Sequence, residues 1–92
     1  MADLRNAILQ EPGVTSTNVR RAAFAGEGVQ EVWAVYVGKV REMSYRIGDG
    51  DVEVLRAAGE SEDAILEITL AAAAGAAQRR LDVGLRALAG LS

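Results

Sequence analysis

The sequence predicts an all-α protein, a compact bundle of about five helices that associates with copies of itself. Half of the 92 residues are apolar, but only 4% are aromatic, and proline occurs once. This composition favours helices, because strands draw on aromatic and β-branched residues. The apolar residues recur at three- and four-residue steps, which is typical of amphipathic helices. A chain this short buries little of its surface, and it has no cysteine for disulfides, so we expect it to gain stability by self-association.

We treat residues 1–92 as a single helical domain in which residues 1–27 form two short helices. Asp3 can cap the first helix, which runs to about Gln10 and ends at Pro12-Gly13. The second helix spans residues 18–25 and is closed by glycines. Its possible N-caps are Thr15, Ser16 and Thr17, and the closing glycines are Gly26 and Gly28.

The sequence pattern of residues 28–92 predicts a helical core that begins with the third and fourth helices. The third helix runs from about Val29 to Arg46, and the fourth runs from about Asp51 to Ala58 and ends at Gly59. The apolar residues of the third helix form one stripe, which consists of Val29, Val32, Trp33, Tyr36, Val40, Met43 and Ile47.

The fifth helix begins at Ser61 and can continue to about Ala89. Its middle, from Leu70 to Ala77, is apolar on every side and consists almost entirely of small residues. A helix that is apolar all round is usually buried all round, so we expect this segment at the centre of the fold or of an oligomer. A leucine stripe follows it, at Leu81, Leu85 and Leu88.

The composition excludes several classes of function. Without histidine or cysteine the chain cannot form a Ser-His-Asp triad, a Cys-His pair or a redox Cys-x-x-Cys motif. Zinc, copper and iron lose their favoured ligands, so we predict no metal and no cofactor. The net charge is −3 and the basic residues are scattered, which argues against a nucleic-acid partner. The longest uncharged stretch of the C-terminal half, residues 68–78, is too short to span a membrane, and we expect a cytoplasmic protein.

Carboxylates, arginines and tyrosines remain as possible functional groups. The densest acidic cluster, Asp49, Asp51 and Glu53, is interpreted as helix capping in preference to an acid/base pair or a hard-cation site. Lys39 is expected to be solvated. One residue of the pair Arg79-Arg80 is expected to be partly buried and paired with Glu67 or Asp82.

The junction at Ala57–Ile68, with the sequence AAGESEDAILEI, resembles the A-G-x-S-E-E-E-I junction of carboxymuconolactone decarboxylase-like and alkyl hydroperoxidase D-like proteins. In that family the junction precedes a long alanine-rich helix, as Thr69–Leu88 does here. The resemblance covers the C-terminal two-thirds of the chain. It implies an alkyl hydroperoxidase D-like helical fold and a homotrimer or larger ring.

Redox members of that family carry a Cys-x-x-Cys-x-x-x-His motif just before the junction. The family spacing places its two cysteines at Ser44 and Ile47 and its histidine at Asp51, and a proton-relay glutamate near Glu31. The resemblance therefore implies the fold and the assembly without peroxidase or thiol-disulfide activity.

Three hypotheses of function follow. The first is a non-redox, oligomeric small-molecule binding or assembly protein. The second is a cofactor-free decarboxylase or isomerase that uses carboxylate or tyrosine acid-base chemistry, with a raised pKa at Asp51 or Glu31. The third is a helical adaptor subunit of a larger complex, with Val35 and Tyr45 exposed as contact points. The ligand pocket of the first hypothesis is predicted at Trp33, Tyr36, Val40, Ser44 and Asp51.

Overall fold

The computed structural model describes residues 13–90, and these form four α-helices joined by short turns. Helix α1 spans Thr17–Ala25, α2 spans Glu31–Glu42, α3 spans Asp49–Ala57 and α4 spans Glu62–Gly90. A 3₁₀ turn, Ser44–Arg46, connects α2 to α3, and residues 13–90 contain no strand. The prediction of an all-α helical bundle is confirmed. The first predicted helix, Asp3–Gln10, lies outside the described residues.

The predicted caps position three of these helices. Of the three candidates for the N-cap of α1, Ser16 takes the role, because its side chain accepts the Val19 amide at 3.2 Å. Gly26 ends α1 with a φ of +74°, and Gly59 follows α3 with a φ of +95°. At the start of α4, the Ser61 hydroxyl accepts the Ala64 amide at 3.1 Å. The two serine side chains accept amide groups that the start of a helix leaves unpaired. The two glycines turn the chain sharply where a helix ends.

Helix α2 ends four residues earlier than the sequence predicts. It stops at Glu42, and Met43 adopts a φ of −145° before the 3₁₀ turn. Arg80 of α4 donates to the Arg41 carbonyl at 2.9 Å and so satisfies one of the last carbonyls of α2. Because this contact joins residues distant in sequence, helical periodicity alone could not reveal it.

The buried face of α2 also differs from the predicted stripe. Val37 belongs to it, whereas Val32 and Met43 are exposed. The residues that are buried recur at three- and four-residue steps, so they share the side of α2 that contacts α4. They are Trp33, Tyr36, Val37, Val40 and Arg41.

The core lies where α1 and α2 cross the first half of α4. Small residues of α4 make this crossing close. A methyl group added at Gly75 would lie 1.8 Å from the Phe24 carbonyl oxygen of α1, so no other residue fits there without a shift of the backbone. The buried residues that α4 contributes are Ala64, Ile65, Ile68, Ala71, Ala72, Gly75 and Ala76.

A buried arginine closes the end of α1 at this crossing. Arg41 is only 8% exposed. Its Nη1 atom donates to the Phe24 carbonyl at 2.6 Å and approaches the Ala23 carbonyl at 3.4 Å. Both carbonyls belong to the last turn of α1, where the helix dipole favours a positive charge. The charge of Arg41 is thereby stabilised in an otherwise apolar contact.

The segment before α1 is fixed to α4 by the Glu67 carboxylate. Val14 and Thr15 donate their amides to it at 2.8 and 3.0 Å, and the Thr15 hydroxyl donates at 2.6 Å. Burial raises the pKa of Glu67, but the hydrogen bonds from Thr15 and Val14 and the charge of Arg20 together lower it below its ordinary value of 4.5. The ionised carboxylate therefore stabilises the folded chain.

Replacing this carboxylate should destabilise the fold in a pH-dependent way. Since the pKa of Glu67 is lower in the folded state, its stabilisation is present above about pH 4.5 and is lost as the pH falls through the folded pKa. We expect Glu67→Gln to reduce the free energy of unfolding at pH 7 by about 1.5–3 kcal/mol, as for hydrogen bonds to charged groups. Urea unfolding of both proteins at pH 7 and pH 3 measures this. A difference that stays constant across this range would contradict the assignment.

Candidate functional site

The residues of the predicted ligand pocket lie in three different environments. Trp33, Tyr36 and Val40 are buried in the core, where α2 contacts α4. Ser44 is exposed on the 3₁₀ turn, and Asp51 is half-buried in the first turn of α3. Trp33 and Val40 thus serve in the helix contact, and Tyr36 and Asp51 share a cleft.

The cleft that contains Tyr36 and Asp51 is small. Its volume is about 70 Å³, whereas pockets for small molecules measure roughly 300–1,000 Å³. The single chain therefore offers no room for a ligand of ordinary size at this position. The cleft is lined by Val32, Val35, Tyr36, Asp51, Val54 and Leu55.

The hydroxyl of Tyr36 is fully engaged in a hydrogen-bonded chain. It lies 2.7 Å from Thr69 Oγ1, which itself donates to the Ile65 carbonyl at 2.6 Å. A threonine hydroxyl has one proton, so Tyr36 must be the donor to Thr69. This arrangement joins α2 to α4 and occupies the proton that a tyrosine acid would transfer.

Asp51 acts as a helix cap and as an ion-pair partner. Its carboxylate binds the Lys39 ammonium at 2.6 Å and accepts the Gly48 amide at 3.0 Å. The hydrogen bonds from Lys39 and from Gly48 lower the pKa of Asp51. The capping interpretation agrees with this geometry, and Lys39 keeps 31% of its side chain exposed while it binds Asp51. A lowered pKa is the opposite of what the acid-base enzyme hypothesis requires at Asp51.

A larger cleft opens between the end of α2 and the middle of α4. Its volume is about 280 Å³, and three arginines and one glutamate contribute its charged groups. Arg41 and Arg80 donate to backbone carbonyls, and the exposed side chain of Arg79 lies 3.6 Å from the Glu42 carboxylate. The lining residues are Arg41, Glu42, Ala76, Arg79, Arg80 and Val83, and we call this the arginine cleft.

The arginine pair of α4 does not have the predicted partners. Arg79 lies 3.6 Å from the Glu42 carboxylate, and Arg80 caps α2. The two acidic residues proposed for them are engaged elsewhere, since Glu67 binds the segment before α1 and Asp82 accepts a hydrogen bond from Gln78 at 3.1 Å. Helical spacing suggested partners within α4, but the path of α2 brings Glu42 closer.

An apolar stripe runs along the side of α4 that faces away from the core. Its members follow each other at three- and four-residue steps, which keeps them on one side of the helix over about 33 Å. All of them are exposed, Leu85 at 54% and Leu88 at 64%. The stripe consists of Leu66, Leu70, Ala73, Ala77, Leu81, Leu85 and Leu88, and we call it the outer stripe.

The second half of α4 projects beyond the bundle. Every residue from Arg79 to Gly90 is exposed, and the described part of the chain extends 51 Å in one direction but only 29 and 19 Å in the others. The side of α4 that faces the core changes from apolar to charged after Ala76, where it continues as Arg79, Asp82 and Arg86. In this half of the helix the apolar side is therefore the one turned away from the chain's own core.

The sequence predicts only the C-terminal part of the outer stripe. The spacing of Leu81, Leu85 and Leu88 predicts one stripe, whereas the apolar character of the middle of the helix predicts burial on all sides. Within this chain, Ala73 and Ala77 are exposed while the opposite side is buried. Leu66 and Leu70 precede Leu81 at helical spacing, and this spacing could have shown that they belong to the same stripe as the three later leucines.

No family model, no curated protein and no solved structure matches this chain. Within residues 13–90, acidic side chains do not group in a way that could hold a metal ion. None of the four helices combines the length and the apolar character needed to cross a membrane. The outer stripe and the arginine cleft are two surface features that could serve a function.

Proposed function

We propose that this chain is a non-redox, homo-oligomeric assembly protein whose subunits bind each other through the outer stripe of α4. One observation carries the proposal: Leu81, Leu85 and Leu88 lie exposed on one side of a helical segment that has no core beside it. Isolated helical segments of this length are marginally stable in water. Large exposed apolar patches on proteins mark interaction sites. Association would cover the stripe and stabilise the projecting segment.

The expected free energy of such a contact sets its strength. Full burial of a leucine side chain contributes about 1.5–3 kcal/mol, so covering the exposed half of each contributes about 1 kcal/mol. Two copies with five stripe leucines each would gain at most about 10 kcal/mol, against an association cost of roughly 4–15 kcal/mol. The two terms are of similar size. We therefore expect an oligomer whose population changes with concentration.

The resemblance to carboxymuconolactone decarboxylase-like proteins supports the assembly part of the proposal. Gly59 turns with a positive φ, Ser61 caps the next helix, and a long alanine-rich helix follows. The absence of cysteine from the whole chain limits the resemblance to assembly, since Ser44 and Ile47 cannot form a disulfide.

Sedimentation velocity over a series of micromolar concentrations tests the proposal. We expect the sedimentation coefficient to rise with concentration, from a single chain of 9.7 kDa toward an oligomer. Hydrogen exchange of residues 81–90 should slow over the same range, because association stabilises this segment. A chain that sediments as a monomer at all concentrations would refute the proposal.

Binding of a small anion in the arginine cleft is the second candidate function. The observation that favours it is the placement of Arg79 and Arg80 beside Arg41, in a cleft of about 280 Å³ on a chain with a net charge of −3. Arg79 has an exposed guanidinium whose nearest carboxylate, that of Glu42, lies 3.6 Å away. Such a contact is weak, so a ligand with two or more carboxylate or phosphate groups can compete for Arg79.

Pyrophosphate and citrate are the probes for this candidate. We expect either ligand to raise the thermal midpoint of the wild-type protein, and Arg79→Ala to remove most of that increase. Arg86→Ala is the matched control, because it removes the same charge from the same helix at a position outside the cleft. An equal response of both variants would show a general ionic effect and would eliminate this candidate.

A further inference from the structure

The partner of the outer stripe can be specified further, and this inference rests on the proposed function. We propose that α4 pairs with α4 of a second copy in an antiparallel orientation, with the two helices crossing near Ala73 and Ala74. The pairing makes the dimer the basic unit of assembly, because two identical helices in opposite directions are related by a two-fold axis.

Segregation of charge along α4 favours the antiparallel orientation. The N-terminal end of the helix is acidic, and Arg56 neutralises it only in part by binding Glu62 at 2.6 Å. In residues 79–86 three arginines outnumber the single acidic residue, Asp82. Antiparallel helices place the acidic end of one copy beside the arginines of the other, whereas parallel helices would align like charges. The acidic residues at the N-terminal end are Glu60, Glu62, Asp63 and Glu67.

The sizes of the stripe residues favour a crossing in its middle. Ala73 and Ala77 interrupt the leucines, and small side chains let two helix backbones approach closely. With the axis between Ala73 and Ala74, Leu66 faces the partner's Leu81 and Leu70 faces the partner's Ala77. Large residues then meet at the periphery of the contact or oppose small ones, so the two surfaces are complementary in shape.

Single cysteines introduced into this cysteine-free chain distinguish the orientations under mild oxidation. In the antiparallel dimer two Ala73→Cys chains form a disulfide with each other, because the two copies of this position lie close to the two-fold axis. Leu66→Cys alone does not, since the two copies of this position lie about 22 Å apart along the helices. A mixture of Leu66→Cys with Leu81→Cys should give a cross-linked heterodimer. Val35→Cys, exposed on α2, is the control for random collisions.

Each outcome supports or overturns the inference. Cross-linking of Ala73→Cys and of the mixture, without cross-linking of either leucine variant alone, supports antiparallel pairing. Efficient self-cross-linking of Leu66→Cys and Leu81→Cys shows parallel helices. Parallel helices would overturn the antiparallel pairing alone. Absence of cross-links in a protein that sediments as an oligomer shows that another face is used, which overturns both the pairing and the outer stripe as the contact. A monomer in sedimentation overturns the proposed function itself. Because all the substituted side chains are exposed, the core stays intact in every variant.

Discussion

The double variant Leu81→Glu/Leu85→Glu is expected to be a monomer at concentrations where the wild-type protein is an oligomer. It removes two leucines from each copy, and covering their exposed halves contributes about 1 kcal/mol each. For two copies the loss is about 4 kcal/mol, which weakens association roughly a thousandfold. Sedimentation velocity at matched concentrations measures the change. Both leucines are exposed on the single chain, so the core of the variant remains unchanged.

A matched control separates loss of the interface from a general effect of added charge. Val35 and Val54 are 73% and 68% exposed, and they lie on α2 and α3, away from the outer stripe. Val35→Glu/Val54→Glu adds the same charge and should associate as the wild-type protein does. If this control variant were the monomer and the leucine variant the oligomer, the self-association contact would lie on α2 and α3 instead of the outer stripe.

The helices were predictable because their signals are local. The α1 cap at Ser16, the positive φ of Gly59 and the start of α4 after Ser61 all depend on residues within a few positions of each other. Capping side chains and glycines act on the adjacent helix end alone, so a single sequence reveals them. The end of α2 at Glu42 was not predictable in this way, because the side chain that stabilises it comes from Arg80.

The candidate site was harder to predict because burial depends on the path of every helix. Val40 lies on the apolar side of α2 as the periodicity predicts, but only the fold shows that it packs in the core. The outer stripe posed the reverse problem. Periodicity shows that Leu66, Leu70 and Leu81 share one side of a helix, but it cannot show that the core lies on the opposite side.

Gly75 is expected to be the most sensitive position of the α1–α4 crossing. A methyl group there would lie 1.8 Å from the Phe24 carbonyl oxygen and 2.7 Å from the Nη1 atom of Arg41. The carbonyl is backbone, so the helices must move apart, which stretches the hydrogen bond from Arg41 as well. We expect Gly75→Ala to lower the free energy of unfolding by about 3 kcal/mol, the upper end of the usual range for overpacked cores. Urea unfolding measures it.

Gly38→Ala is the matched control for this prediction. Gly38 also lies inside a helix, α2, but nothing stands within 4 Å of the position that a methyl group would take. There the higher helix propensity of alanine should raise the free energy of unfolding by about 0.5–1 kcal/mol. The same substitution is thus expected to have opposite signs at the two sites. Equal stabilisation of both variants would mean that α1 does not cross α4 at Gly75, and the position of Arg41 between them would then need another explanation.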